Sequence, residues 1–286
     1  MRFLIVGDRS GSYNHHLHYD FFERELRALK HDVYRWRGGK GSGSFVDAVS
    51  SFSPDVVISH SPKALGRDWL ELPDKVRKVA VQCDYHYITT ADPCLRASDM
   101  VFFRASEHVS LARDTHGLTE PLLRWLPFSV DTNVVPRDIE KNYERVFFAG
   151  NAMPSVYPMR HSVLRQCPTL VHKPSRILTY KEYLATANRF GFGLACKSTY
   201  NLDPAKMLEY ASVGCIPLCD SSPAQDILLP GLSIHYTGPE DVRQIVSRAN
   251  HTRLKEMSAE CRQFVKKHHS HAVRAKQFLE EVCSLF

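Results

Sequence analysis

Short apolar or β-branched runs alternate with segments of helical periodicity along the whole chain, and that order leaves few folds open. A chain written this way closes most simply into parallel sheets joined by crossover helices. In the first half the strand-like runs are Phe3–Gly7, Asp32–Trp36, Asp55–Ser59, Val79–Cys83 and Met100–Phe103. The clearest helical segment between them is His18–Leu29, where Phe21, Phe22, Leu26 and Leu29 recur at helical spacing. Pro127 to Arg137 is a turn-rich crossing, after which the alternation starts again. Strands are expected at Val146–Ala149, Thr169–His172, Phe190–Ala195, Ile216–Cys219 and Ser233–Tyr236. Helices are expected near Arg160–Gln166, Tyr180–Asn188, Pro204–Val213 and Pro239–Ala249, followed by a charged helical tail. Such a restart within 286 residues predicts two domains of roughly 130–150 residues, each with its own core. The expected fold class is α/β: two doubly wound domains, 1–128 and 129–270, whose strand C-terminal ends face a central cleft.

Composition narrows the setting. No apolar run approaches the roughly 20 residues needed to span a bilayer, and Met1–Asp8 reads as a first strand rather than a signal peptide. The eight cysteines are scattered without framework spacing, which points to a reducing, cytoplasmic environment. Cys215 and Cys219 lack a companion pair, so zinc is not expected. The net charge of +6 permits an anionic partner without demanding one. Among fifteen histidines, His15-His16-x-His18 and His268-His269-x-His271 look like metal tracts. Neither has a carboxylate or cysteine set nearby, and solvated or nucleotide-adjacent imidazoles are the expected reading.

The stretch Asp203-Pro204-Ala205-Lys206-Met207-Leu208-Glu209-Tyr210-Ala211-Ser212-Val213-Gly214 carries the most chemistry. Asp203 can cap a helix by accepting amide hydrogens of its first turn, and Pro204 fits the first helical position without losing a hydrogen bond. Lys206 and Glu209, three apart, then share one face. A helix start attracts anions through its free N–H groups and its dipole. An added lysine suits a diphosphate, and a carboxylate one turn later suits a ribose diol. Gly214 ends the helix and Cys215–Asp220 reads as the next strand, which places a nucleotide-diphosphate site at the lip of a parallel sheet. An ordinary capped amphipathic helix with a surface lysine is written the same way, so the string alone leaves both readings open.

The same stretch resembles a family signature. Pro204-x-Lys206-x-x-Glu209-Tyr210-x-x-x-Gly214-x-x-Pro217 is similar to the nucleotide-sugar signature of GT-B glycosyltransferases, especially the family 4 and CgeB-like enzymes. Leu126-Pro127-Phe128-Ser129-Val130-Asp131-Thr132 is similar to the LP-x-GVD segment that begins their second domain. Val146–Asn151, followed by Tyr157–Arg160, resembles the first strand, glycine loop and first helix of that domain. The resemblance runs through nearly the whole chain and is strongest over residues 144–238. It implies two Rossmann-like domains, with a final helix (271–286) returning to the first. It further implies transfer of a sugar from a nucleotide-diphosphate donor, expected to be a UDP-sugar, to a hydroxyl. Configuration would be retained, with no metal or other cofactor required. Glu209 would hold the ribose. Lys206, the helix start and Arg160 or Lys197 would balance charge on the diphosphate. Gly150 and Asn151 would form the glycine loop, and Lys173 would end the strand whose backbone contacts the nucleobase. One departure stands out: family 4 enzymes usually carry a second glutamate eight residues before the ribose-binding one, and this chain has Asn201 there. Contact with the donor sugar at that point passes to an amide or is lost.

Gly7-Asp8-Arg9-Ser10-Gly11-Ser12 follows the first strand, but G-x-G-x-x-G spacing and its acidic follower are missing, which excludes a nicotinamide or flavin fingerprint. By the resemblance, Gly11 and Ser12 would let backbone amides approach the donor. Gln82–Tyr87 ends the fourth strand, and Asp84 and His86 are candidates to orient the acceptor or the transferred sugar. Two basic stretches, Tyr34–Lys40 and Ser61–Trp69, interleave cations with aromatics. Their Arg35, Arg37, Lys40, Lys63 and Arg67 suit a phosphate backbone and an extruded base, so a hydroxymethylated DNA base is a candidate acceptor. A saccharide or cell-surface glycan acceptor, a sugar-nucleotide-binding module without transfer, and a DNA-binding protein with an unused sugar site are the alternatives.

Overall fold

The computed structural model describes residues 1–7, 21–38, 43–82, 92–173, 178–197, 205–220 and 225–286. It divides into two compact units, Met1–Pro127 with Arg274–Phe286, and Phe128–Val273.

The first unit holds β1 (Arg2–Val6), α1 (Phe21–Ala28), β2 (Asp32–Trp36), α2 (Phe45–Phe52), β3 (Val56–Ser59), β4 (Arg77–Gln82), β5 (Met100–Phe103) and β6 (Leu122–Trp125). Its six strands are parallel in the order β2-β1-β3-β4-β5-β6. Strands such as Val56–Ser59 and Met100–Phe103 are buried along their whole length. A parallel sheet covered on both faces requires that, which is why they read as continuous apolar runs. One face packs Phe3, Ile5 and Val79 against Phe21, Phe22 and Leu26 of α1 and Phe278 and Val282 near the C-terminus. The other packs Leu4 and Val57 against Phe45 and Val49 of α2 and against Trp69.

One element here departs from the sequence reading. The edge strand β6 was not expected, because its half-exposed residues lack a buried pattern. Ser44 caps α2 in a capping box with Asp47: its Oγ accepts from the Asp47 amide at 3.0 Å, while its own amide donates to Asp47 Oδ2 at 3.3 Å.

The second unit contains β7 (Asn142–Ala149), α3 (Pro158–Gln166), β8 (Leu170–Lys173), α4 (Tyr180–Ala187), β9 (Phe190–Ala195), α5 (Ala205–Ser212), β10 (Ile216–Cys219), β11 (Ile234–His235), α6 (Pro239–Ser247) and α7 (His251–His268). Its strands are parallel in the order β11-β10-β9-β7-β8. The last helix, α8 (His271–Cys283), supplies Phe278 and Val282 to the first unit's core. The segment after Pro127 is pinned within the second unit by a parallel bridge between Val130 and Ser270. Here the reading of the second histidine tract is corrected. His269 and His271 are buried rather than solvated: His269 Nε2 donates to the Leu228 carbonyl at 2.8 Å, and His271 Nδ1 shares a 2.8 Å hydrogen bond with Ser129 Oγ. The seven described cysteines are all free.

Helix α5 is buried from Met207 to Ser212, so it is an interior helix and not an amphipathic one at the surface. It ends in paired hydrogen bonds, Cys215 N to Tyr210 O and Gly214 N to Ala211 O, with Gly214 at φ +69°. That left-handed closure is why the glycine is there. Tyr210 lies flat over β9, where a Cβ on Gly193 would fall 2.5 Å from its ring. Gly193→Ala should therefore cost roughly 1–3 kcal/mol by overpacking, read as a lower denaturant midpoint at unchanged slope. An unaltered midpoint would mean that Tyr210 can move aside freely.

Candidate active site

Ligands of doubly wound sheets bind beyond the carboxyl ends of the strands, and in the second unit that edge gathers most of the charged groups singled out above. Strand β7 runs into Gly150, whose φ of +149° an L side chain rarely adopts. Its amide donates to the Lys173 carbonyl at 3.1 Å, and its carbonyl accepts from His172 Nε2 at 3.0 Å. A Cβ here would also meet Lys206 Cε at 3.1 Å and the Phe148 ring at 3.0 Å. The bare backbone of the loop thus lies against the lysine at the start of α5.

Lys206 keeps part of its side chain accessible, with Nζ 5.2 Å from the centre of the Tyr183 ring. Burial pulls its ammonium pKa down; Glu209 pulls it up and Arg160 lowers it further. Glu209 is only 3% exposed. Burial raises its carboxyl pKa, against the Lys206 charge and the Tyr183 hydroxyl. Among the described residues no ion pair joins Lys206 and Glu209, so neither is consumed by the other.

Arg160, on the first turn of α3, is 4% exposed. Its guanidinium lies 3.7 Å from the Tyr157 ring centre and 4.8 Å from that of Phe148. It donates to the Asn151 carbonyl at 2.6 Å and to the Cys196 carbonyl at 2.9 Å. One side chain therefore ties the loop after β7 to the end of β9. At the end of β10, Asp220 Oδ1 accepts from the Lys197 amide at 2.8 Å. Burial pushes the Asp220 carboxyl up to about 6, opposed by hydrogen bonding from the Lys197 and Asp220 amides and by the charges of Lys197 and Arg160. Beside it, Cys196 Sγ and the Tyr236 hydroxyl are 2.7 Å apart. Burial lifts the Cys196 thiol to about 12 and the Tyr236 phenol higher still. Both stay protonated at neutral pH, so Cys196 is not a nucleophile. The cluster offers buried cations for an anion and a buried carboxylate for hydroxyls.

A protein-family profile described as glycosyl transferase-like matches residues 139–280, a span that includes every residue of this cluster. This chain is a glycosyltransferase of the GT-B fold. Three solved structures share the fold over essentially the whole chain. AviGT4, a glycosyltransferase involved in avilamycin A biosynthesis, is 14% identical, with a TM-score of 0.68 over 100% of this chain and 98% of its own. Sucrose-phosphate synthase from Thermosynechococcus elongatus is 8% identical, with a TM-score of 0.71 over 100% and 99%. An α-glucosyltransferase in complex with UDP and a 13-mer DNA is 11% identical, with a TM-score of 0.70 over 99% and 100%. No curated protein matches the sequence. At such identities the structures speak for the fold; the enzyme class rests on the profile.

The remaining candidates of this glycosyltransferase divide into three groups. Gly11, Ser12, Lys40, Asp84, His86, Asn201 and the capping pair Asp203 and Pro204 lie outside the described residues. Lys173 has an exposed side chain and contributes its carbonyl to Gly150, while Lys197 is half-buried with its amide held by Asp220. In the first unit Arg37 is exposed, and Lys63 and Arg67 have side chains 87% and 84% exposed. Arg35 needs correcting. Its side chain is 11% exposed, 3.7 Å from Glu23, and a Cβ on Gly7 would lie 2.9 Å from its Nε. It packs over the end of β1 and is not a loop cation free to meet a phosphate backbone.

Sequence reasoning missed Asp220 and Tyr183. The one signal for Asp220 was a polar residue ending the apolar run Ile216–Cys219. Among the described residues no group of three or more His, Cys, Asp or Glu is placed to hold a metal ion, and no helix is long and apolar enough to cross a membrane.

Proposed function

We propose that this glycosyltransferase uses a UDP-sugar, in the manner of family 4 and CgeB-like enzymes, and passes the sugar to a hydroxyl with retained configuration. The observation that carries the reading is the Glu209–Lys206 face of α5, with a buried carboxylate and a partly accessible ammonium that no ion pair joins among the described residues, set against the Gly150 backbone and beside Arg160. Glu209 accepts hydrogen bonds from the ribose hydroxyls. Lys206 and the amides at the start of α5 receive the diphosphate, with Arg160 adding to the positive field. The bond from the sugar's anomeric carbon to phosphate oxygen breaks, and a bond to the acceptor oxygen forms on the same face. The acceptor's proton goes to the departing phosphate oxygen, so UDP leaves and no protein base is needed. The experiment is a panel of UDP-sugars screened for protection against melting, then for slow hydrolysis releasing UDP. Protection without any release of UDP, with or without acceptor, would instead favour a binding module of the same fold.

Lys206 stabilises charge that grows on the leaving group, so Lys206→Ala should lower kcat by roughly 10²–10³ while changing donor KM much less. A pure KM effect would reassign Lys206 to uniform binding.

The exposed cations Arg37, Lys63 and Arg67 favour an acceptor on a polyanion, and a hydroxymethylated DNA base is the proposed one. Transfer to hydroxymethylcytosine-bearing DNA should fall steeply with added salt, whereas a neutral oligosaccharide acceptor would be salt-indifferent. Reversing the three charges together should weaken DNA use and leave UDP-sugar hydrolysis intact.

A further inference from the structure

Asp220 is a second carboxylate beside the cations at the carboxyl edge of the second sheet, and unlike Glu209 it has no part in the diphosphate reading. Its Oδ1 is fixed by the Lys197 amide at 2.8 Å. Among the described residues, the groups around it come from four elements. Lys197 and Cys196 follow β9, Arg160 comes from α3, Cys219 closes β10, and Tyr236 follows β11. Cys196, Cys219 and Tyr236 are held neutral by burial, so among the described residues the charges that act on Asp220 are those of Lys197 and Arg160. Arg160 in turn spends two of its donors on the Asn151 and Cys196 carbonyls.

We propose that Asp220 is a charge gate on the donor: its carboxylate shares Lys197 and Arg160 with the incoming diphosphate, so the donor binds together with a proton taken up at Asp220. This rests on the donor reading above and deepens it. The physical reason is competition at close range. Two anions beside the same pair of cations repel across a poorly solvated edge, and the weaker acid partner resolves the conflict by protonating. Phosphate diesters do not titrate near neutrality, so the proton goes to the carboxylate. The direction is supported by the carboxyl already lying near 6 in the free protein. Adding a dianion raises it further. Donor binding is then tightest where Asp220 is already protonated and weakens as pH rises through and above 6.

The two functions of the side chain are separable. Asp220→Asn keeps an oxygen to accept from the Lys197 amide and removes the charge; Asp220→Ala removes both. Asp220 is thus a positioning residue through Lys197 and a selectivity element through its charge.

The test is titration calorimetry of the full chain with UDP-glucose, UDP-galactose and UDP-N-acetylglucosamine. Each is run at pH 5.5 and 8.0 in two buffers of different ionisation enthalpy. Affinity of the wild-type protein is expected to fall roughly tenfold between the two pH values, with binding enthalpy that depends on buffer. Asp220→Asn should lose the fall in affinity above pH 6 and the proton uptake that accompanies it, keep only the acid limb of Glu209, and bind at pH 8.0 at least as tightly as wild type. Asp220→Ala should melt earlier than Asp220→Asn. If Asp220→Asn keeps the wild-type pH slope and proton uptake, or binds more weakly by the same factor at both pH values, the side chain is merely structural and the gate is wrong. Failure of the wild-type protein to bind any of the three sugars would overturn the donor reading itself.

Discussion

Replacing Glu209 with alanine is expected to weaken donor binding by about 1.5–3 kcal/mol, a rise in donor KM of roughly ten- to a hundredfold. The size follows from burial. At 3% exposure the carboxylate has already lost most of its water, so hydrogen bonds from a ribose diol are not exchanged for equally good ones to solvent. Its loss also acts through Lys206. Glu209 is the group that raises the lysine's pKa against burial and Arg160; without it, the ammonium gives up its proton at lower pH. The defect should therefore grow as pH rises. Wild-type affinity should show the opposite limb as well, because burial raises the Glu209 carboxyl and binding through its ionised form is lost as pH falls through that raised pKa. Stability should move the other way. Burial of the carboxylate is a cost to the fold that the Lys206 charge and the Tyr183 hydroxyl offset only in part, so the variant should melt no earlier than wild type. Steady-state donor KM with a thermal melt separates these effects. A variant with unaltered KM would remove Glu209 from the site.

Why some of this was legible in the sequence and some was not comes down to distance along the chain. Parallel strands buried on both faces are written as unbroken apolar runs, so Val56–Ser59, Met100–Phe103 and Ile216–Cys219 could be placed directly. Strand β6 could not, because an edge strand with half-exposed side chains has no such run. Lys206 and Glu209 were visible as a pair because three residues on a helix is a local relation. The company they keep is not local. The order β11-β10-β9-β7-β8 brings the ends of β7, β9 and β10 together, and that permutation makes neighbours of Arg160, Lys197 and Asp220. Arg35 departs from its expected place for a different reason. Its two-residue spacing from Val33, which is buried, places it on the inward side of β2, and strand alternation overrides the pull of its charge toward solvent. His269 and His271 misled similarly: a polar, histidine-rich string looked solvated until the bridge between Val130 and Ser270 drew it inside.

Arg160→Ala should destabilise the second unit by about 3–4 kcal/mol, the largest stability effect expected from the cluster. Two hydrogen bonds from a charged donor are lost, and the Cys196 carbonyl is left buried without its partner. The cation–π contact with Tyr157 at 3.7 Å adds about 1–2 kcal/mol for a desolvated pair. Against these stands the desolvation cost that a 4% exposed guanidinium carries, which removal recovers, so the terms do not simply add. The guanidinium wins because its fork meets two carbonyls on different strand ends at once. Arg160→Lys should rescue only part of the loss, since one ammonium keeps the charge but cannot span both acceptors. In a unit of this size 3–4 kcal/mol corresponds to a drop in melting temperature of roughly 10 °C, measurable by differential scanning calorimetry if the second unit's transition is resolved. Activity should respond on a separate axis. In Arg160→Lys, assayed well below its melting point, kcat should fall more than donor KM rises. The retained charge still attracts the diphosphate, but the loop after β7 and the end of β9 no longer hold their spacing around the leaving group. A lysine variant with wild-type stability and wild-type kcat would show that charge alone matters at this position and that the bridge between the two strand ends does not.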